Sequence, residues 1–165
     1  MLKLTGALIL IAAGALAGYM ESHRLAMRVE QLERFLRFVS SAQTEIRFSA
    51  LPVEQIVQRH GGDLEFLRQC GDSFQKNGDF QSAWQAGVKD CAKSGGFNDK
   101  DVELLKGFGS GFGVSDTDGQ LSHCALYYEL TAQNLKEARG EKERKSRLYQ
   151  MFGVFSGMAA ALLLC

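Results

Sequence analysis

Residues 4–20 and 148–165 carry no charged side chain, and these two runs stand at opposite ends of the chain. Each is about 17 or 18 residues long, which as a helix is enough to cross the hydrocarbon core of a bilayer. Between them, charge occurs at ordinary density. The pattern predicts an N-terminal transmembrane helix over residues 1–20, a helical-bundle domain over 21–147 and a second transmembrane helix over 148–165. Tyr19, Tyr149 and Phe152 fall where interfacial aromatics are expected.

The balance of charge narrows the function. With 19 basic and 19 acidic residues among 165, the formal net charge is zero. Nothing here supplies the basic face that nucleic acid requires, so no nucleic-acid partner is expected. One Pro among 165 residues favours long uninterrupted helices over a turn-rich β-sandwich. A mean hydropathy of −0.12 hides the distribution, because the apolar residues gather at the two ends.

Orientation follows from the basic residues. Arg24, Arg28, Arg34 and Arg37 follow the first run, and Lys136, Arg139, Lys142, Arg144, Lys145 and Arg147 precede the second. The positive-inside rule then puts 21–147 in the cytoplasm and both termini across the membrane. Lys142, Arg144, Lys145 and Arg147 are also placed to meet anionic lipid. A rival reading takes Ala15-Leu16-Ala17 as a signal-peptide cleavage pattern and makes the domain an exported one. Only Lys3 precedes the run, however, and the positive charge that follows it resists translocation.

Each terminal run carries small residues at helical spacing: Gly14 and Gly18 in the first, Gly153 and Gly157 in the second. Four residues apart, each pair shares one helix face and permits close approach of another backbone. Helix packing, including a homo-oligomer, is the expected use.

The middle reads as about six helices. Leu25, Val29, Leu32, Leu36, Val39 and Ile46 form one stripe, widened by Phe35, Phe38 and Ala42. Glu30–Arg34 and Glu33–Arg37 have the i,i+4 spacing of surface pairs. Pro52 suits the first turn of a helix that Gly61-Gly62 ends, and Asp63 is expected to cap the next. After the Asn77-Gly78 turn, Asp79 caps a helix with an inward stripe of Phe80, Ala83, Trp84, Val88 and Cys91. Asn98 and Asp101 have the spacing of a capping box. Ser115 or Asp116 starts a final helix whose inward stripe is Leu121, Cys124, Tyr128, Leu135 and Ala138. Residues 140–147 are nearly all charged and read as an exposed stalk with Glu141–Lys145 and Glu143–Arg147 pairs.

Chemical motifs are weak. Gly109-Ser110-Gly111-Phe112-Gly113 lacks the Lys and the spacing of a phosphate loop and follows a helix, so it reads as a helix end and turn. Cys70, Cys91, Cys124 and Cys165 show no close pairing, and His23, His60 and His123 are scattered, so no metal site is expected. A Cys/His-dependent membrane enzyme would have to use Cys124 and His123, which point about 100° apart on a helix. The acidic residues Asp99, Asp101, Glu103, Asp116 and Asp118 read as helix N-terminal charges complementing the dipole. No catalytic residue and no cofactor emerges.

The order of these features resembles the stage III sporulation protein AB family of endospore-forming bacteria. It rests on residues 3–10, KLTGALIL, and the basic helix after them, and on Glu45 in Thr44-Glu45-Ile46. It rests further on Ala83-Trp84, Leu105, Gly109, and the segment 112–120, FGVSDTDGQ, with Gly113, Ser115, Asp116 and Gln120. That family looks like the cytoplasmic domain of type II secretion and type IV pilus inner-membrane platform proteins, which carry the domain twice with three spans. The resemblance implies an all-α scaffold in the mother-cell (outer forespore) membrane within a secretion-like channel complex. It also implies partners: other subunits of that complex and a secretion-type ATPase, the sporulation protein AA.

Overall fold

The computed structural model describes residues 19–76, 78–92, 96–145 and 148 with their side chains, and otherwise only the backbone of residues 2–94 and 96–164. Six helices occur in the order α1 (Leu2–Phe48), α2 (Val53–His60), α3 (Glu65–Asn77), α4 (Phe80–Ser94), α5 (Asp99–Gly111) and α6 (Thr117–Leu164). There is no strand among the described residues. The all-α expectation holds, and so does the expectation that α1 continues unbroken from the first apolar run into the bundle.

The two long helices pack on each other in antiparallel fashion, and α2 to α5 follow one another around the pair. The α1 stripe is inside as expected: Leu32, Phe35, Val39 and Ala42 are fully buried, and Leu36 packs against the core from its edge. The centre is aromatic. Phe35 meets Phe108 edge-on at 5.4 Å, Phe66 meets Trp84 at 5.5 Å, and Phe108 lies 4.8 Å from Phe112. Each such pair adds about 0.5–1.5 kcal/mol beyond area burial. Truncating any one of these rings to Ala costs about 3–5 kcal/mol.

Local endings follow residue chemistry. Gly78 closes α3 at φ +70°, and Asp79 Oδ1 accepts the Gln81 N–H at 3.1 Å to start α4. Asn98 and Asp101 form the full capping box of α5. Asp116 starts α6 by accepting the Gly119 N–H at 2.9 Å.

Four readings need correction. Asp63 does not cap α3; Leu64 occupies that position because its side chain must be buried, and the Asp63 carbonyl accepts from Arg34 instead. Pro52 stands just before α2 rather than in its first turn. Tyr128 is 38% exposed; Tyr127 faces the core, and the inward line of α6 runs through Gln120, Cys124, Tyr127, Thr131, Asn134, Leu135 and Ala138. Following apolar residues alone skips Thr131 and Asn134 and so drifts off phase. Last, Glu30 pairs with Arg34 within α1 at 2.6 Å as expected, but two other pairs expected within one helix are made between helices. Glu33 binds Arg139 at 2.6 Å rather than Arg37, and Glu141 binds Arg28 at 2.9 Å rather than Lys145. The segment after Ala138 is therefore not a free-standing stalk but lies against α1.

Among the described residues no helix is long and apolar enough to cross a membrane. The runs 4–20 and 148–165 lie almost wholly outside the residues described with side chains, and Gly14, Gly18, Gly153, Gly157 and Arg147 lie outside those too.

Candidate functional site

The segment 112–120 forms a knot at the end of the bundle where α1 stops and α6 begins. Gly113, at φ +85°, has its N–H received by Gln120 Oε1 at 2.8 Å, and an added Cβ there would stand 2.8 Å from Val53. Gln120 is itself buried, and its Nε2 donates to the Gly111 carbonyl at 3.0 Å and to Ser115 Oγ at 2.9 Å. One amide thus ties together the end of α5, the turn and the start of α6. Gln81 of α4 donates to the Phe112 carbonyl at 3.3 Å. Trp84 and Gly109 meet beneath the knot. Trp84 donates its indole N–H to the Leu105 carbonyl at 2.9 Å, and its ring occupies the space a Cβ on residue 109 would need. All six residues singled out in this region therefore belong to one assembly that shapes the tip.

Beside the knot lies an open cleft of about 350 Å³, walled by Ile46, Ala50, Pro52, Val53, Ser115 and Gln120 among others. Ala50 forms its rim at φ +47°, a left-handed conformation that a residue with a Cβ rarely adopts. Phe48 and Val114, next in sequence to lining residues or close to them, leave 79% and 70% of their surface exposed. Nearby, Glu45 accepts from Arg59 at 3.2 Å and lies 2.9 Å from His60 Nε2. The hydrogen bond with His60, then that with Ser49, holds the Glu45 carboxyl down to about 2. The carboxylate fastens α2 to the end of α1.

A second constellation sits near the opposite end. Asp101, fully buried, receives Arg28 Nε at 2.7 Å, Arg28 Nη2 at 3.2 Å, Asn134 Nδ2 at 2.9 Å and the Asn98 N–H at 3.1 Å. Arg28 Nη1 reaches Glu141 at 2.9 Å. Burial works against the Arg28 charge, but the hydrogen bonds and charge of Asp101 outweigh it and raise its pKa. By sequence, Arg28 reads as a topology signal and Asp101 as a helix cap and N-terminal charge. The one sequence clue to their meeting was an acidic residue and an Asn on otherwise core-facing lines.

The basic residues expected to face lipid are divided in role. Lys142 and Arg144 are exposed, whereas Lys145 reaches Glu21 at 3.5 Å. The thiols of Cys70, Cys91 and Cys124 are all buried, and burial pushes them up to about 12, 11 and 12. His123 turns from Cys124 to the Phe108 carbonyl at 2.8 Å. A thiol so protonated and without a base is no nucleophile at neutral pH. What the tip offers is a shaped, partly apolar surface on a rigid base.

The sequence model of the family described as Stage III sporulation protein AB matches residues 3–165. The chain is 23% identical over 170 residues to Stage III sporulation protein AB of Bacillus subtilis (strain 168), with 99% of each chain covered. A solved structure of Stage III sporulation protein AB (SpoIIIAB) shares the fold at a TM-score of 0.64 and 20% identity, covering 72% of this chain and 98% of that one.

Proposed function

Because the chain belongs to the stage III sporulation protein AB family, we propose that it is a non-enzymatic platform subunit of a secretion-like sporulation channel complex. In this reading both termini are anchored in the mother-cell (outer forespore) membrane, and the bundle docks a cytoplasmic secretion-type ATPase, the sporulation protein AA.

One observation carries the reading. The pairs Glu33–Arg139, Arg28–Glu141 and Glu21–Lys145 fix α1 and α6 as antiparallel neighbours, so both helices head toward the uncharged terminal runs from the same end of the bundle. At that end Tyr19, Met20 and Leu148 leave 72%, 70% and 51% of their surfaces uncovered. Such surface is costly in water and natural at a bilayer interface. From Glu21 to Phe48 is about 40 Å of helix, so the tip with its cleft, Phe48 and Val114 stands well clear of the membrane, where a cytoplasmic partner reaches it. Exposed Arg24, Lys142 and Arg144 would meet anionic lipid. The unbroken α1 also speaks for retention of the first run rather than cleavage after Ala17. Two spans, where platform proteins with a duplicated domain have three, argue for association of copies through the Gly14/Gly18 and Gly153/Gly157 faces.

The test is binding of the full chain in detergent to the purified ATPase. Replacing Phe48 and Val114 with Asp leaves the buried core untouched, and about a tenfold or greater loss of affinity is expected. Wild-type affinity in this variant places the contact elsewhere, and failure of the unmodified chain to bind removes the partner.

A further inference from the structure

Toward the end where the terminal runs depart, Leu25 and Ala138 are, among the described residues, the last buried apolar residues of α1 and α6. Alongside and past them, three ion pairs cross between the two helices, and the three are unequal. Glu33, Arg139, Glu21 and Lys145 are all a third or more exposed, so their pairs are screened and weakly held. They can also be exchanged, since Lys142, Arg144 and Lys145 offer cations at successive positions along α6. Arg28 and Asp101 differ, being 4% and 0% exposed. The rigid guanidinium fork spends Nε and Nη2 on Asp101 and Nη1 on Glu141. Asp101 in turn holds Asn134 of α6 and the start of its own helix.

A buried ion pair is poor evidence of stability, since well-packed apolar residues of similar volume serve as well. What a fork with each of its three nitrogens matched does supply is geometry, because its bonds are satisfied at one alignment only. We propose that the Arg28–Asp101–Asn134–Glu141 node is a register lock. It fixes the axial alignment of α1 and α6, and it fastens that alignment to the first turn of α5. The 13 residues of α5 end at Gly111, in the knot at the tip. A shift of one terminal helix against the other is thereby passed along α5 to the cleft instead of being lost in slippage between ion pairs. The lock stands on this geometry and does not depend on which partner meets the tip.

Thiol crosslinking of the full chain in detergent tests this. Cys165→Ser gives a quiet background, because the thiols of Cys70, Cys91 and Cys124 are buried and protonated. Glu21→Cys is combined either with Lys145→Cys, in register, or with Lys142→Cys, about one turn away. A short bifunctional reagent reads the ratio of the two yields. With the lock intact the in-register pair dominates. In R28M/D101L/N134L, which removes both buried charges and the Asn134 amide together, the ratio is expected to fall about threefold or more while cooperative unfolding persists. E141Q, altering only a half-exposed residue, is expected to move the ratio the same way by less. An unchanged ratio in the folded triple variant overturns the lock. If the triple variant does not fold, E141Q decides alone, and an unchanged ratio there overturns it.

Discussion

Gly109 owes its identity to a neighbour rather than to its own backbone. It lies inside α5, where Gly is about 1 kcal/mol worse than Ala by intrinsic propensity. Yet a Cβ there would come within 2.1 Å of Trp84 Cδ1. The steric term is the larger, because Trp84 is wedged among Phe66, Phe108 and Phe112 and is tethered to Leu105. G109A is therefore expected to lower stability by about 1–3 kcal/mol despite its better helix propensity. Trp84 is the single Trp of the chain, so denaturation followed by its emission reads both the loss and the displaced ring. Equal or higher stability would mean the ring relaxes at no cost.

At the scale of elements, α2 is a short helix of eight residues, and such a helix depends on tertiary ties. Ile56 and Val57 bury one face, and Glu45 of α1 holds the last turn through His60 and Arg59. The folded-state pKa of Glu45 is depressed to about 2, first by His60. Its stabilisation is thus present above the ordinary carboxylate range and is lost as pH falls through that range toward the folded value. E45Q is expected to be less stable than the unchanged chain near neutrality, with the gap closing in acid. Denaturant titrations of both chains at successive pH values check this, and a gap independent of pH would contradict it. The same elements show what the sequence made legible. Helix number, the α1 stripe, the α4 stripe and the caps at Asp79, Asn98 and Asp116 are local or periodic signals and were readable. The phase of α6 was not, because its inward line includes Thr131 and Asn134 among apolar residues. Nor were the partners of Glu33, Arg28 and Glu141 readable. An i,i+4 partner is visible along one helix, whereas a partner 106 or 113 residues away is chosen by packing. Trp84 and Gly109 could be singled out by resemblance, but their contact required the fold.

For the whole molecule, the proposed function has two anchored helices carry a bundle with a docking tip. Its oligomeric part rests on small residues in the terminal runs. Gly157→Ile is expected to weaken crosslinked oligomers and recruitment to the complex while leaving the bundle's unfolding transition in place, because that residue falls in the uncharged terminal run and not within residues 21–147. Unchanged oligomers and unimpaired sporulation would dismiss this packing face. In the proposed function, the side of the membrane that the bundle occupies decides more, since a cytoplasmic ATPase would dock on one side only. Gln75 is exposed near the end of α3 and makes a neutral reporter. In a Cys165→Ser background, a Gln75→Cys variant should react with a membrane-impermeant maleimide only after the cells are opened. Labelling on intact cells would contradict the account at its root.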